Sequence, residues 1–165
     1  MAAILPLQGR FDKAIPDNYG NAEYRAEREL LMAIDGILGS CGLEQPVIAY
    51  FLDVAYVNNV ITVFGTDKPA RLTAAQRDSV GATAVIALRM ALLRKRLGLS
   101  LRKFSLALSH SDLYKWFCGI NRFCLPKVPG KSTVGELENA LPSFLIADLE
   151  QRLLRAAAGE SCQVL

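Results

Sequence analysis

The chain has 165 residues, of which 52% are hydrophobic and 21% charged, and its net charge is +3. This length suits one domain with a buried core, and the composition excludes a wholly disordered chain. The longest apolar region, from Pro46 to Phe64, is interrupted by Asp53, so we interpret it as core and not as a membrane span.

The first residues and the cysteines bear on the compartment. No basic stretch followed by a long apolar run opens the chain, which predicts no secretory signal. Cys41, Cys118, Cys124 and Cys162 include no CxxC pair, which favours reduced thiols over disulfides. Cys118, Cys124 and His110 match no zinc-finger spacing and lack a fourth ligand, so we expect no metal.

Two segments precede the basic part of the chain: an extended arm over 1–20 and a helical hairpin over 21–66. Asn21 can cap the first helix, and Pro46 suits the first turn of the second. The β-branched and aromatic residues over 47–64 leave helix and strand both open there.

A basic helical region of the same domain follows over 67–158. The sequence TDKPAR at 66–71 predicts a polar linker, and Thr73 with Gln76 then forms a capping box for a long third helix. That helix stops at Gly98, and its last turn is basic, which also suits the negative end of the helix dipole.

A corner similar to a helix-turn-helix is predicted next. Ser100 can cap one short helix, and Ser109 or Ser111 can cap another that ends at Gly119. On the apolar faces of these two helices lie Phe104, Trp116 and Phe117, which we therefore expect in the core.

Two further helices complete the prediction. Thr133 and Glu136 suggest a capping box, a last helix begins near Ser143, and residues 159–165 form a loose tail. The predicted fold class is therefore all-α, a bundle of six to seven helices that contains the helix-turn-helix-like corner.

The charges are separated along the chain. Residues 68–131 carry thirteen Lys or Arg against two Asp, a net charge of +11, whereas the rest carries a net −8. A local field of this kind favours a polyanionic partner. The alternative is a solvated basic face that pairs internally with the acidic flanks, and charge alone leaves both open.

The run ALRMALLRKRLGLSLRKFSLALSHSDLYKWFCGI, followed by LPKVPGKSTVGELENALP, resembles the N-terminal domain of InsH-type bacterial insertion-sequence transposases. The resemblance covers roughly residues 70–158, with looser similarity back to Asn21. The matching residues are Leu99, Ser100, Arg102, Leu106, Ala107, Ser111, Trp116, Phe117, Cys118, Gly119, Pro129, Lys131, Ser132 and Thr133.

The resemblance implies DNA transposition by a DDE-type nuclease, whose acidic residues hold two Mg²⁺ ions on a later RNase H-like domain. Those carboxylates are expected outside this chain, so we predict that it is not an enzyme and has no catalytic residues. Mg²⁺ is expected only for a complete family member. The expected location is the bacterial cytoplasm, associated with the nucleoid and without a membrane.

By the same resemblance, this helical domain is expected to bind double-stranded DNA at transposon ends. Ser132 and Thr133 can offer hydroxyls and helix N-terminal amides to a phosphate, although capping alone also explains them. The predicted DNA-binding residues are Arg94, Lys95, Arg96, Arg102, Lys103, Lys115, Lys127, Lys131, Ser132 and Thr133.

Two other functions stay open at this level. One is a protein-interaction or dimerisation module that binds itself or a full-length transposase, using the alanine-rich faces of the third helix and the acidic flanks. The other is a free-standing helix-turn-helix regulator.

Overall fold

The structure, a computed structural model, describes residues 21–120 and 128–160, which form seven helices and one two-stranded antiparallel sheet. The predicted all-α bundle is confirmed. The predicted arm at 1–20 and the loop residue Lys127 lie outside the described residues. The elements are α1 (Ala22–Ser40), α2 (Gln45–Asn58), β1 (Val60–Val63), β2 (Thr66–Pro69), α3 (Ala74–Leu97), α4 (Leu101–His110), α5 (Asp112–Phe117), α6 (Lys131–Asn139) and α7 (Ser143–Ala157).

Short-range side-chain bonds fix the starts of α1 and α3. Asn21 Oδ1 accepts a hydrogen bond from the Tyr24 amide at 2.9 Å. The capping box is complete, because Thr73 Oγ1 accepts from the Gln76 amide and Gln76 Oε1 accepts from the Thr73 amide. Each bond satisfies an amide that the first helical turn leaves without a partner. Both predicted caps are confirmed.

The same type of cap begins α4 and α5. Ser100 Oγ accepts from the Lys103 amide at 3.4 Å, and Ser111 Oγ accepts from the Tyr114 amide at 3.2 Å. Ser111 is the single residue between α4 and α5, so it ends one helix and caps the next.

The start of α6 differs from the prediction. The capping residue is Gly130, and the helix begins at Lys131, so Thr133 lies inside the first turn. The Thr133–Glu136 capping box is therefore wrong. A tertiary contact accompanies the earlier start, because Ser105 Oγ in α4 donates to the Pro129 carbonyl at 2.9 Å beside the helix entry.

The predicted polar linker at 66–71 is also wrong, because β2 occupies most of it. Val63 pairs with Thr66, and the two residues between them, Phe64 and Gly65, have φ of 53° and 79°. Positive φ at both positions defines a type I′ turn, which matches the twist of a β-hairpin. The region left open between helix and strand contains both, and the boundary predicted between 66 and 67 falls within β2.

The helices pack around one core. α2 lies along α3, α1 contacts α5 and α7, and α6 contacts both α3 and α4. Phe104, Trp116 and Phe117 are buried in this core, which confirms their predicted inward orientation. No helix in the two described ranges has both the length and the hydropathy needed to cross a bilayer.

Two cysteines lie within the described residues, and they differ in state; Cys124 and Cys162 lie outside those residues. Cys118 is a free, buried thiol, whereas Cys41 is disulfide-bonded. The prediction of reduced thiols is therefore wrong at Cys41. Sequence spacing failed here because it does not show which thiols the tertiary fold brings together. Burial raises the pKa of the Cys118 thiol, and the positive charge of Arg89 opposes that rise.

Candidate nucleic-acid interface

The helix-turn-helix-like corner predicted from the sequence corresponds to α4, Ser111 and α5, and a second corner lies one element earlier, where the long helix α3, a short turn and α4 follow one another. α3 ends at Gly98, whose φ of 62° is left-handed, and α4 begins after the three-residue turn Gly98–Ser100. Arg94 Nη1 donates to the Leu99 carbonyl at 2.9 Å, which fixes the turn to the last turn of α3. A turn of this length with a glycine is typical of the helix-turn-helix.

The exposed helix of this corner is α4. Its buried residues Phe104 and Leu108 face the core, while the opposite side of the helix is exposed to solvent. The exposed residues are Arg102, Lys103, Leu106, Ser109 and His110. The side chains of Arg102 and Lys103 form no ion pair with any described acid.

The first turn of α6 lies beside this face. Ser105 in α4 binds the Pro129 carbonyl, and a side chain added at Gly135 in α6 would come within 3.3 Å of Leu101 Cδ1. Because the later α4 residue contacts the earlier α6 residue, the two helices run in opposite directions. The start of α6 therefore lies beside the middle of α4.

That start is exposed and carries no side-chain cap. Lys131, Ser132 and Thr133 are all exposed, and no side chain from the part of the chain that the structure describes caps this turn. Within the described residues, Lys131 has no carboxylate partner. A free cation therefore lies where the helix dipole is positive.

The last turn of α3 has a different environment. Its three basic residues each pair with an acid on a different helix, which ties the end of α3 to α6, α7 and α1. The pairs are Arg94 Nε to Glu138 Oε1 at 2.7 Å, Lys95 Nζ to Glu150 Oε1 at 2.6 Å, and Arg96 Nη2 to Glu27 Oε2 at 2.6 Å. At these positions the basic segment does pair with the acidic flanks, and phosphate contact by the same residues stays a prediction.

Lys115 lies on α5, which has only six residues and buries Leu113, Trp116 and Phe117. The Lys115 side chain is largely covered and pairs with Asp112 at 2.6 Å. α5 is too short and too buried to enter a groove, so the surface of the corner belongs to α4.

Arg89 in α3 is a basic residue whose place the sequence analysis missed. Its side chain is buried, with Nη1 2.7 Å from Asp35 Oδ1 and Nε 2.6 Å from Glu44 Oε1. Nη1 also donates to the Phe117 carbonyl at 2.9 Å, and the guanidinium carbon lies 5.4 Å from the centre of the Phe117 ring. This cation belongs to the core and adds nothing to a DNA-facing surface.

Periodicity contains a signal for this buried cation. Arg89 lies four residues after Val85 and four before Leu93, both of which are buried, so it falls on the apolar stripe of α3. Asp35 likewise lies four residues after the buried Leu31 in α1. Opposite charges on the apolar stripes of two helices indicate a buried ion pair.

The described part of the chain holds no group of three or more His, Cys, Asp or Glu side chains arranged to bind a metal. Comparisons with protein-family models, curated proteins and solved structures found no match to this chain. The resemblance to the transposase domain therefore rests on the residues quoted above.

Proposed function

We propose that the chain binds duplex DNA through one basic surface, the α4–α6 surface. It comprises Arg102, Lys103, Leu106 and Ser109 of α4 with Lys131, Ser132 and Thr133 of α6. The observation that carries the proposal is the exposed helix α4, which follows a long helix after a three-residue turn and has in its first turn two cations that pair with no acid of the described ranges.

The order of residues along α4 suits a helix in the major groove. The N-terminal residues of a recognition helix contact base edges and nearby phosphates, which is where Arg102 and Lys103 lie. Leu106 follows Arg102 by one helical turn and is 59% exposed. An apolar side chain there can contact a thymine methyl group, whereas its exposure to water gives no stabilisation.

The first turn of α6 supplies a second anchor. Its uncapped amides and the Lys131 ammonium can bind one backbone phosphate, and the Ser132 and Thr133 hydroxyls can donate to the same group. Because the Ser105–Pro129 hydrogen bond holds this turn beside α4, the anchor and the groove-facing residues would approach one duplex together.

The ion pairs of the last turn of α3 then have a positioning role. Arg94 binds Glu138 in α6 and the Leu99 carbonyl in the turn before α4. It therefore fixes the two halves of the α4–α6 surface relative to α3. In this proposal Arg94 acts through α4 and α6, and the direct contacts belong to Arg102, Lys103 and Lys131.

Together with the resemblance, this surface supports the proposal that the chain acts as the DNA-binding module of an insertion-sequence transposase and recognises transposon ends. The chain would bind DNA in the bacterial cytoplasm and would not cut it alone. A complete family member would supply the carboxylates and the Mg²⁺ ions for strand cleavage.

A salt titration of binding to short duplex DNA tests the proposal. The wild-type affinity should fall with salt by about 0.9 log units per decade for each phosphate neutralised. Arg102→Glu/Lys103→Glu should weaken binding at low salt by at least about tenfold, because each reversal replaces an attraction to phosphate by a repulsion.

Arg71→Glu/Arg77→Glu is the matched control. Both of its residues are exposed and carry the same total charge, but they lie just before and within the first turn of α3, at the opposite end of a helix about 36 Å long. Binding should survive this change almost intact. Equal losses in the two variants, or no binding by folded wild-type protein, would contradict the α4–α6 surface as the DNA contact.

A further inference from the structure

The β-hairpin and the end of α2 expose a group of large apolar side chains, here called the hairpin patch. Phe64 at the tip is fully exposed, and its positive φ is one that bulky residues rarely adopt. The patch consists of Val54, Tyr56 and Val57 from α2, Val60 and Ile61 from β1, and Phe64.

The alternation of hydrogen-bonded and non-hydrogen-bonded pairs shows which backbone groups of the hairpin face outward. The Ala70 amide donates to the Asn59 carbonyl, so Asn59 faces the partner strand. In an antiparallel ladder every second residue shares that direction, so Ile61 also faces β2. Val60 and Thr62 therefore direct their N–H and C=O groups away from β2, at the free edge of β1.

The two edges of the hairpin are not equivalent. On the outer edge of β2 lie Asp67, which is charged, and Pro69, which has no N–H to donate. Charges and prolines are the usual means by which proteins block an exposed edge. β1, with the sequence VITV, has neither, so its edge can accept another strand.

We propose that the hairpin patch binds a second copy of this chain, through antiparallel pairing of the two β1 edges about a twofold axis. The outward residues define the register. Val60 of one copy pairs with Thr62 of the other, which places Ile61 directly opposite Ile61 of the second copy. The result is a four-stranded sheet, and isolated two-stranded hairpins are only marginally stable.

Area sets the strength of this interface, and charge permits it. The six residues expose on the order of 600 Å² per copy, of which edge pairing can bury only a part, so a dimer weaker than one with the roughly 800 Å² per partner of a stable interface is expected. Asp67 and Lys68 balance each other on β2, so two hairpins would meet without net repulsion. A polyanion has nothing to attract it to the patch itself.

This surface is separate from the α4–α6 surface. The hairpin precedes the first turn of α3, whereas α4 follows its last turn, so about 36 Å of helix lies between them. Dimerisation and DNA binding can therefore be tested, and can fail, independently.

Light scattering on size-fractionated protein at several concentrations tests self-association. Wild type should change from monomer to dimer as concentration rises. Phe64→Asn keeps a residue that favours a type I′ turn, so it should stay folded while raising the dimer dissociation constant at least tenfold. Phe144→Asn removes an exposed phenylalanine from α7 and should leave the constant unchanged.

A cysteine crosslink tests the register. Ile61→Cys should give a covalent dimer on a non-reducing gel, since directly opposed, non-hydrogen-bonded positions lie close enough for a disulfide. Lys68→Cys, one strand further out, should give no more dimer than wild type. A wild-type monomer at every concentration, equal crosslinking of the two variants, or a dimer insensitive to Phe64→Asn would overturn the proposal.

Discussion

The guanidinium of Arg89 and the carboxylate of Glu44 join α3 to the start of α2, with 2.6 Å between Nε and Oε1 inside the core. Nη1 of the same side chain donates to the Asp35 carboxylate and to the Phe117 carbonyl. One buried cation therefore connects α1, α3, α5 and the start of α2. A planar fork of donors can serve several acceptors at once, which a lysine cannot do.

Removing this cation should strongly destabilise the fold. Arg89→Leu leaves two largely buried carboxylates without compensation, and we expect the free energy of unfolding to fall by about 3–5 kcal/mol. Urea denaturation followed by the fluorescence of Trp116, the one tryptophan of the chain, measures it. The triple variant Arg89→Leu/Asp35→Asn/Glu44→Gln should regain much of the loss. A loss below about 1 kcal/mol in the single variant would contradict this role.

Stability should fall in alkali through Cys118. Burial raises the pKa of its thiol in the folded protein, whereas the unfolded thiol ionises near its ordinary value of 9.0. The unfolded state then loses its proton first, so the stabilisation is complete below pH 9 and falls by up to about 1.4 kcal/mol per pH unit above it. Unfolding measured from pH 7 to 10 tests this expectation.

Cys118→Ala is the control, because it should remove the part of the decline that begins at pH 9. Tyr114 adds a second decline above pH 10, since burial, reinforced by Glu27 and opposed by Arg96, raises its pKa. An identical pH profile in wild type and Cys118→Ala would show that the thiol is not the source.

The role of Arg94 can be separated from direct phosphate contact. Glu138→Gln removes the carboxylate that binds Arg94 but keeps the arginine. If Arg94 positions α4, DNA affinity should fall a few-fold with an unchanged salt slope, and stability should drop by about 1 kcal/mol. If the released Arg94 instead binds phosphate, affinity and the salt slope should both rise.

Phe64→Asn should stabilise the monomer in dilute solution. Asparagine tolerates a positive φ and favours the type I′ turn before glycine, so we expect a gain of about 1 kcal/mol in the free energy of unfolding. Phe64→Ala removes the same ring but keeps the unfavourable backbone, and should bring little gain. Equal stability of the asparagine and alanine variants would indicate that the turn is not strained.

Most helix caps were predictable, the start of α6 excepted, whereas the partners that the tertiary fold brings together were not. The caps at Asn21, Thr73 and Ser100 depend on residues within one turn, so their sequence patterns were sufficient. β2 was missed because Phe64-Gly65 lacks the Asn-Gly or Asp-Gly signal of a tight hairpin.

The candidate site shows the same division. The exposure of Arg102 and Lys103 followed from the helical periodicity of α4, which the sequence contains. The partners of Arg94 and Arg96 lie 44 and 69 residues away, and no local pattern identifies them. Arg89 was the intermediate case, because its position and that of Asp35 on apolar stripes were visible, whereas its pairing with Glu44 was not.

The separation of charge that allows these ion pairs to form in the folded protein also acts in the unfolded state. When the helices melt, a block with a net charge of +11 still lies between segments with a net −8. Opposite blocks on one flexible chain attract each other, so the denatured ensemble should be compact at low ionic strength and expand as salt screens the attraction. The surface exposed on unfolding, and with it the urea dependence of stability, should therefore increase with salt.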